Sequence, residues 1–398
     1  MTAVDDAAVV EVGREAPGWQ PPSSLYLHVP FCPYKCAYCD FVTHVGSPSL
    51  VAPYVEALCH EIERISPGDG PLQTVYLGGG TPTMLSPAQI DQILSTVDRS
   101  FGLAVDTEIS LEANPDTVNR EDLAQMRAAG MNRLSIGVQT LDVAELGALG
   151  RGHTPEEAIS SFREARDAGL ENVSLDLIYG APGQSIDSWE RTLTRAVGLG
   201  PDHISLYSLI VEPATRFWRQ QEQGRLTLPP DDDVVDMYQL SCRLLQDAGY
   251  EHYEVANWAR PGRQARHNCI YWLDEQFFAA GVGAYDYLRP YRSRRVRSTK
   301  SYIERMRAGQ SVIVERELVA PADEQFETAA MRLRLLKHGL EGRVFVERFG
   351  RTLESVYGTV IEDLVDLGFL ERKGDVVYLR EHMVPLANEA WQRFLPPT

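Results

Sequence analysis

Three cysteines crowd into a short stretch near the start of the chain. The thiols of Cys32, Cys36 and Cys39 follow the spacing CxxxCxxC. Three thiolates on one short loop suit an iron–sulfur cluster or a zinc ion. A closed structural metal site normally has four protein ligands, so three leave one metal position free for a substrate or cofactor. The alternatives are a zinc site completed by His28 or His44, and three unrelated thiols.

A repeating alternation of short strands and amphipathic helices must position this loop. Six such strands favour parallel βαβ units, in an open doubly wound sheet or in a complete or partial barrel. The predicted strands are Leu25–Val29, Thr74–Leu77, Glu108–Leu111, Arg133–Gly137, Asn172–Ile178 and His203–Leu209. The predicted helices are Pro53–Ile65, Pro87–Ser100, Arg120–Ala129, Pro155–Ala168 and Ser185–Leu199.

Residues suited to binding follow the ends of these strands, where both architectures place their active sites. Gly78, Gly79 and Gly80 come directly after the second strand and are followed by Thr81. Consecutive glycines let the backbone approach a ligand closely and expose its N–H and C=O groups. Glu112 ends the third strand, and its carboxylate suits a cationic or hydroxylated ligand. Taken singly, a glycine turn more often marks a tight loop, and a strand-end carboxylate a surface charge.

The pattern changes near residue 226. A long helix is predicted over Asp231–Ala248 and a strand over Tyr250–Ala256. The last ninety or so residues predict a mostly helical, winged-helix-like domain with two short strands around a turn. The predicted organisation is a flexible leader over 1–22, a βα core over 23–225, a connecting region with a His-Asn-Tyr-Trp motif over 226–310 and the C-terminal domain over 311–398.

The composition is that of a globular protein, with 44% hydrophobic and 24% charged residues in a chain of 398. A formal net charge of −18 argues against nucleic-acid binding. No window approaches the ~20 apolar residues of a membrane span, and the N-terminus lacks the basic and apolar regions of a secretory signal. Six cysteines are too few for a disulfide framework, so a reducing compartment is predicted.

The cysteine spacing, followed by the glycine run after the next strand, resembles the signature of the radical S-adenosylmethionine (SAM) superfamily. The resemblance implies an α/β fold with a partial (βα)6, TIM-like barrel. It implies that Cys32, Cys36 and Cys39 hold three irons of a [4Fe-4S] cluster, and that SAM chelates the fourth iron through its amino and carboxylate groups. An electron from the cluster would then cleave the sulfonium to a 5′-deoxyadenosyl radical, which is chemistry of the cofactor.

Further matches run in the same order as in the oxygen-independent coproporphyrinogen oxidase group. By this resemblance, Tyr26, Gly79 and Glu112 contact the cluster-bound SAM. Other positions match residues that surround a second SAM in the oxidase, namely Tyr38, Gly80, Thr81, Gln139, Arg151 and Asp176. The sequence leaves open whether one SAM or two are bound, and it assigns no catalytic residue.

Two features separate this chain from the oxidase. The oxidase carries a fourth cysteine two residues after the third, where this chain has Phe41, as do the HemW-type haem chaperones. The second feature is an HNxxYW motif typical of the same chaperones, formed by His267, Asn268, Tyr271 and Trp272. It offers an imidazole for haem iron, an amide and two aromatic faces for a porphyrin, with Cys269 as an alternative soft ligand. On its own, such a cluster more often packs in a core.

The resemblance implies a chaperone that binds haem, the [4Fe-4S] cluster and SAM, and delivers haem to haem-requiring proteins, membrane-bound respiratory enzymes among them. The alternatives are an oxygen-independent coproporphyrinogen III oxidase and a radical SAM enzyme that acts on haem. We expect a cytoplasmic protein with transient membrane contact and without a nucleic-acid partner. The sequence leaves open whether the chain is an enzyme and whether it forms a homodimer.

An arginine-rich run extends from Arg289 to Lys300 in this acidic chain. Such a run usually forms a solvated face. The sharper hypothesis is a docking surface for haem propionates or for an acidic partner.

Overall fold

The computed structural model describes residues 18–68 and 70–396, and strands account for its central layer. The strands are β1 (Ser24–Val29), β2 (Phe31–Cys32), β3 (His44–Val45), β4 (Leu72–Gly79), β5 (Leu103–Ala113), β6 (Arg133–Gln139), β7 (Val173–Tyr179), β8 (His203–Ser208), β9 (Glu251–Glu254), β10 (Asn257–Ala259), β11 (Phe278–Ala280), β12 (Tyr285–Leu288), β13 (Tyr291–Arg295), β14 (Ile313–Leu318), β15 (Leu340–Glu341), β16 (Leu370–Lys373) and β17 (Val376–Leu379).

Helices cover this layer and build the C-terminal part of the chain. They are α1 (Val51–Arg64), α2 (Pro87–Phe101), α3 (Arg120–Ala128), α4 (Val143–Leu149), α5 (Pro155–Asp167), α6 (Ile186–Gly198), α7 (Arg216–Glu222), α8 (Asp231–Asp247), α9 (Arg266–Trp272), α10 (Thr299–Arg307), α11 (Pro321–Arg332), α12 (Gly342–Phe349), α13 (Leu353–Asp366) and α14 (Ala387–Trp391). None of the helices in the described residues is both long and apolar enough to cross a membrane.

The central sheet has the strand order β11-β1-β4-β5-β6-β7-β8-β10-β9. From β1 to β8 its six strands are parallel, with Leu25 beside Val75 and Leu77 beside Leu111. Parallel strands are covered on both faces, which explains why β6 is buried at every position. β11 and β9 form the two edges and do not pair with each other, so the described sheet is a partial barrel. The predicted partial (βα)6 architecture is confirmed.

Side-chain caps begin several of the outer helices. Ser86 and Gln89 form a reciprocal capping box at α2, and Thr154 and Glu157 form one at α5. These bonds satisfy backbone N–H groups that have no partner inside the helix. Trp189 of α6 is fully buried against the sheet. Because each helix is fixed over the strand before it, the loops after the strand ends open onto one rim.

Strands from the region after residue 226 join the central sheet at both of its edges. β10 extends the sheet antiparallel to β8, β9 pairs antiparallel with β10, and β11 lies parallel to β1 at the other edge. The strand predicted over Tyr250–Ala256 is observed as the shorter β9, and a turn connects it to β10, which the sequence did not predict. These strands widen the described sheet at both edges without closing it.

The C-terminal domain has its own apolar core, which includes Leu333, Phe345, Leu364 and Phe394. β15, β17 and β16 form a small antiparallel sheet beside α11 to α13, as the winged-helix prediction expects. Residues 1–17 of the predicted leader lie outside the described residues. Trp19, in the rest of that leader, is buried and packs edge-on against Tyr287 at a centroid distance of 6.0 Å. Part of the predicted leader thus packs against the rest of the protein.

The arginine-rich run is largely occupied by internal ion pairs. Arg295 is 3% exposed and binds Glu61 at 2.9 Å and Asp286 at 2.5 Å. Other members of the run pair with carboxylates on neighbouring elements, namely Arg289 with Glu324, Arg292 with Glu327 and Arg294 with Glu315. The interpretation as a solvated face is wrong for Arg295. The paired guanidinium groups would have to break these contacts before they could dock propionates.

Candidate functional site

The cysteine loop follows β1 and reaches the rim of the barrel. Cys32 ends β2, which pairs with β3 on the far side of the loop. The loop is also fixed in its middle, because the Ala37 backbone bonds to Leu149 and Phe217 at 3.0 Å each. The thiols of Cys32, Cys36 and Cys39 line one cavity of ≈ 420 Å³. That volume lies in the range of small-molecule sites, roughly 300–1,000 Å³.

The thiol positions and the neighbouring histidines bear on the choice between a cluster and a single zinc ion. Ligands at zinc distances around a tetrahedral ion lie roughly 3.4–3.8 Å apart. Within the described ranges, the three loop sulfurs are not a group whose ligand atoms all lie within 4.8 Å of one another. His28, one proposed fourth zinc ligand, has both ring nitrogens engaged, with Tyr26 at 3.1 Å and the Val42 carbonyl at 2.8 Å. His28 could therefore complete a zinc site only by losing one of these contacts, whereas the buried His44 Nε2 has no hydrogen-bond partner among the described residues.

Each thiol has a polar neighbour. Thr81 Oγ1 donates to Cys32 Sγ at 3.5 Å, Arg151 Nη1 donates to Cys36 Sγ at 3.5 Å, and Lys35 Nζ lies 4.0 Å from Cys39 Sγ. Burial raises the pKa of Cys32 to about 11, so this thiol is neutral at pH 7 in the metal-free chain. Metal binding therefore releases a proton from it, and the nearby cations favour the resulting thiolate ligands.

The glycine turn after β4 packs directly against the start of the cysteine loop. Gly80 N–H donates to the Val29 carbonyl at 2.8 Å, and Thr81 N–H donates to the Phe31 carbonyl at 2.7 Å. A Cβ on Gly80 would lie 2.6 Å from that Val29 oxygen. At Gly79 φ is +102°, and a Cβ there would lie 2.2 Å from the His28 ring. Only glycine fits both positions, and the turn leaves the cavity open beside the thiols.

Glu112 sits opposite this turn with a fixed orientation. Its carboxylate accepts from the Tyr76 hydroxyl at 2.7 Å and from the Gly79 N–H at 2.9 Å. Burial raises the pKa of Glu112 to about 7, so its charge changes near neutral pH. A carboxylate held this way can pair with a cationic group of a ligand in the cavity.

The other residues assigned to SAM by resemblance also line the cavity, apart from Tyr26. Arg151 donates to Asn114 Oδ1 at 2.8 Å and to the Gly137 carbonyl at 2.7 Å, while its buried Nε has no partner in the described residues. Asp176 accepts from Ser135 Oγ at 2.9 Å, and burial raises the pKa of this carboxyl. The residues that line the cavity are Tyr38, Gly79, Gly80, Thr81, Glu112, Gln139, Arg151 and Asp176.

Tyr26 lies behind that wall. Its ring stacks on Tyr76 at a centroid distance of 6.2 Å, and its hydroxyl is 3.1 Å from His28 Nδ1. In this position Tyr26 supports Tyr76, which in turn holds Glu112. The roles of all these residues toward SAM stay predictions.

The HNxxYW motif lies on α9. The Glu108 carboxylate caps the first turn of this helix, because it accepts hydrogen bonds from the backbone N–H groups of Arg266 and His267 at 3.0 Å each. His267 is buried, and this lowers the pKa of its imidazole to about 3. Its ring nitrogens lie 2.7 Å from Thr74 Oγ1 and 2.8 Å from the Tyr271 hydroxyl. Iron ligation by His267 therefore requires one of these bonds to break.

The four motif residues do not share one surface. Asn268 lines the same cavity as the cysteines. His267 stacks on Tyr76 at 5.1 Å, behind the cavity wall, whereas the Trp272 indole faces the Arg334 guanidinium at 4.3 Å. The structure thus connects the motif to Glu112 through Tyr76. The role of the motif in haem binding stays a prediction.

Comparison with known proteins places this architecture in a family. Residues 26–196 match the Radical SAM superfamily. The chain is 36% identical over 375 residues to the heme chaperone HemW of Bacillus subtilis, across 94% of this chain and 99% of the relative. The chain belongs to the HemW family. HemW of Escherichia coli is 34% identical, across 94% of this chain and 98% of that protein.

The fold of this HemW family member also resembles a solved structure. Coproporphyrinogen III oxidase (HemN) from Escherichia coli superposes with a TM-score of 0.81, over 96% of this chain and 91% of that one. The two share 22% sequence identity, so the likeness concerns the fold.

Sequence reasoning missed several residues of the HemW-type cavity. Tyr76 and Asn114 orient Glu112 and Arg151. Lys35 lies inside the cysteine motif and donates to the Phe41 carbonyl at 3.0 Å. Alternation along β4 could have indicated Tyr76, because it lies on the same face as Gly78, two residues on. Nothing in the local pattern indicates Asn114.

Proposed function

We propose that this protein is a haem chaperone that binds a [4Fe-4S] cluster through Cys32, Cys36 and Cys39, binds SAM in the adjoining cavity, and delivers haem to haem-requiring proteins. Similarity to HemW proteins over nearly the whole chain carries the haem part of the proposal. The three half-buried thiols that share one cavity support the cofactor part.

The residues around the cavity fit this pair of cofactors. When bound, the cluster supplies an electron that cleaves the SAM sulfonium. Gly79 and Gly80 line the cavity with backbone alone, because a Cβ on either residue would collide with His28 or Val29. Glu112 offers a fixed acceptor for an ammonium group. The buried Arg151 Nε offers a free donor. Gln139 and Asp176 would add polar groups to the cavity wall, whether the cavity binds one SAM or two.

Haem is proposed to bind at the HNxxYW motif. Asn268 reaches the cavity, whose mouth carries the exposed apolar side chains of Phe41 and Ile210. His267 becomes available to iron once its contact with the Tyr271 hydroxyl breaks. Tyr271→Phe removes that competing hydroxyl and keeps the aromatic ring. A neutral hydrogen bond is worth about 1 kcal/mol, so this variant should bind haem about fivefold more tightly if the freed nitrogen is the ligand.

The decisive experiment is anaerobic cluster reconstitution, followed by paired assays with haem and with coproporphyrinogen III. We expect stable haem binding that His267→Ala abolishes and Cys269→Ala leaves unchanged, without porphyrinogen decarboxylation. Decarboxylation that requires SAM and the three loop cysteines would overturn the proposal and make this protein an oxidase. SAM-dependent loss of haem would overturn it in favour of an enzyme that acts on haem.

Delivery requires a recipient, and we propose haem-requiring respiratory proteins reached by transient membrane contact from the cytoplasm. The measurement is haem transfer from the loaded protein to an apo-recipient in anionic vesicles, with recipient-free vesicles as the control. Transfer at the same rate from free haem would contradict a chaperone role. Light scattering of the cluster-loaded protein, with and without SAM, determines whether a homodimer forms.

A further inference from the structure

A second group of metal-binding side chains meets where the C-terminal domain rests on the barrel. Cys242 comes from α8, His252 from β9 and Glu381 from the start of the short 3-10 helix Glu381–Leu386 that follows β17. The ligand atoms of these three residues all lie within 4.8 Å of one another. His252 Nδ1 is 2.9 Å from Glu381 Oε1. None of the three lines the cavity of the cysteine loop.

The donor set is one that zinc takes in proteins. A thiolate, an imidazole and a carboxylate bind zinc at about 2.3, 2.0–2.1 and 2.0–2.2 Å. Around a tetrahedral ion such donors lie roughly 3.4–3.6 Å apart. An ion at the centre therefore requires movements of about 1 Å, which side-chain rotations supply.

The surrounding contacts hold the three ligands in place. The His252 ring is stacked on the Trp258 indole with centroids 3.9 Å apart and planes inclined by 8°. Tyr238, one helical turn before Cys242, donates its hydroxyl to the Glu381 carbonyl at 2.9 Å. The Glu381 side chain is 49% exposed, which leaves a path for an ion and a water molecule.

We propose that Cys242, His252 and Glu381 form a zinc site with water as the fourth ligand, and that the ion fixes the C-terminal domain to the barrel. Two ligands belong to the barrel, and the third lies 129 residues after His252. Zinc binding releases the thiol proton of Cys242. The bound ion replaces the direct hydrogen bond between imidazole and carboxylate with bonds from both groups to the metal.

The test uses the full chain with its loop cysteines already filled by iron, so that zinc cannot enter there. The reconstituted protein is equilibrated with Zn²⁺ and desalted, and zinc and iron are measured by mass spectrometry. We expect about one zinc per chain, and the loss of most of it in Cys242→Ser and Glu381→Gln, with iron unchanged. Cys269→Ser, at another half-buried cysteine, serves as the matched control and keeps its zinc.

Two further readouts separate a built site from weak surface binding. Co²⁺ in place of zinc should give tetrahedral d–d bands and a thiolate charge-transfer band, both absent from Cys242→Ser. Zinc at a hundred times its Kd should raise the Tm of this 398-residue chain by about 3 °C, and should leave the Tm of Glu381→Gln unchanged. Since Glu381 is half exposed, this variant is expected to fold. Substoichiometric zinc in the parent chain, or zinc retained in both variants, would overturn the proposal.

Discussion

Gly79→Ala tests how tightly the glycine turn packs against the cysteine loop. At this residue φ is +102°, and the added Cβ would lie 2.2 Å from the His28 imidazole. His28 also bonds to the Val42 carbonyl at 2.8 Å, directly after the cysteine motif. Displacement of the ring therefore loosens the segment that carries Cys39. The substitution should reduce both stability and cluster retention.

The expected magnitude has a backbone and a steric part. A positive φ costs a non-glycine residue about 1–2 kcal/mol, and forcing a methyl group into a filled space costs about 1–3 kcal/mol. Gly130→Ala supplies the backbone part alone, because φ there is +113° and the nearest atom, Ile109 Cδ1, is 3.5 Å from the Cβ. For a chain of 398 residues, about 2.1 cal/mol/K of unfolding entropy per residue gives ~1.2 °C per kcal/mol, so Gly79→Ala should melt about 1–4 °C below Gly130→Ala.

The assay compares thermal melting and iron content after anaerobic reconstitution in the two variants and the parent chain. Gly130→Ala should keep the parent's iron content, and Gly79→Ala should hold clearly less. Equal melting temperatures and equal iron in both variants would refute the argument from close packing. Lower stability with full iron would show that His28 does not transmit the strain to the loop.

Other predictions concern buried charges. Arg295→Met leaves Glu61 and Asp286 buried without their cation and should cost about 3–5 kcal/mol in urea unfolding. Arg294→Met, beside the half-exposed Glu315, should cost at most about 1 kcal/mol, and similar losses in both variants would contradict the burial of Arg295. The pKa of Glu112 rises from 4.5 to about 7 on folding, so the folded chain binds its proton more tightly than the unfolded chain. The free energy of unfolding should therefore fall as pH rises from about 4.5 to about 7, and it should fall less in Glu112→Gln. An equal pH dependence of unfolding in the parent chain and the variant would exclude the shift.

The local sequence determined the order of strands and helices in the barrel. β-branched runs and amphipathic segments have different periods, so the order of strands and helices follows from the residues themselves. Successive parallel strands end at the same rim, and this placed the cysteine loop, the glycine turn and Glu112 together before any contact was known. What the sequence could not give was the arrangement behind that rim. Tyr76 holds Glu112, and His267 packs behind Tyr76.

Tertiary structure alone decided which polar residues are buried and with which partners. His267 lies against Thr74, 193 residues earlier in the chain, and Arg295 reaches Glu61 across 234 residues. Such pairs depend on how β11, β9 and the C-terminal domain close around the parallel strands. Periodicity reports only the face of an element on which a residue lies, whereas its partner depends on the packing of distant elements. For this reason the chemistry of the cysteine loop could be predicted from the sequence. The burial of Arg295 and the proximity of Cys242, His252 and Glu381 could not.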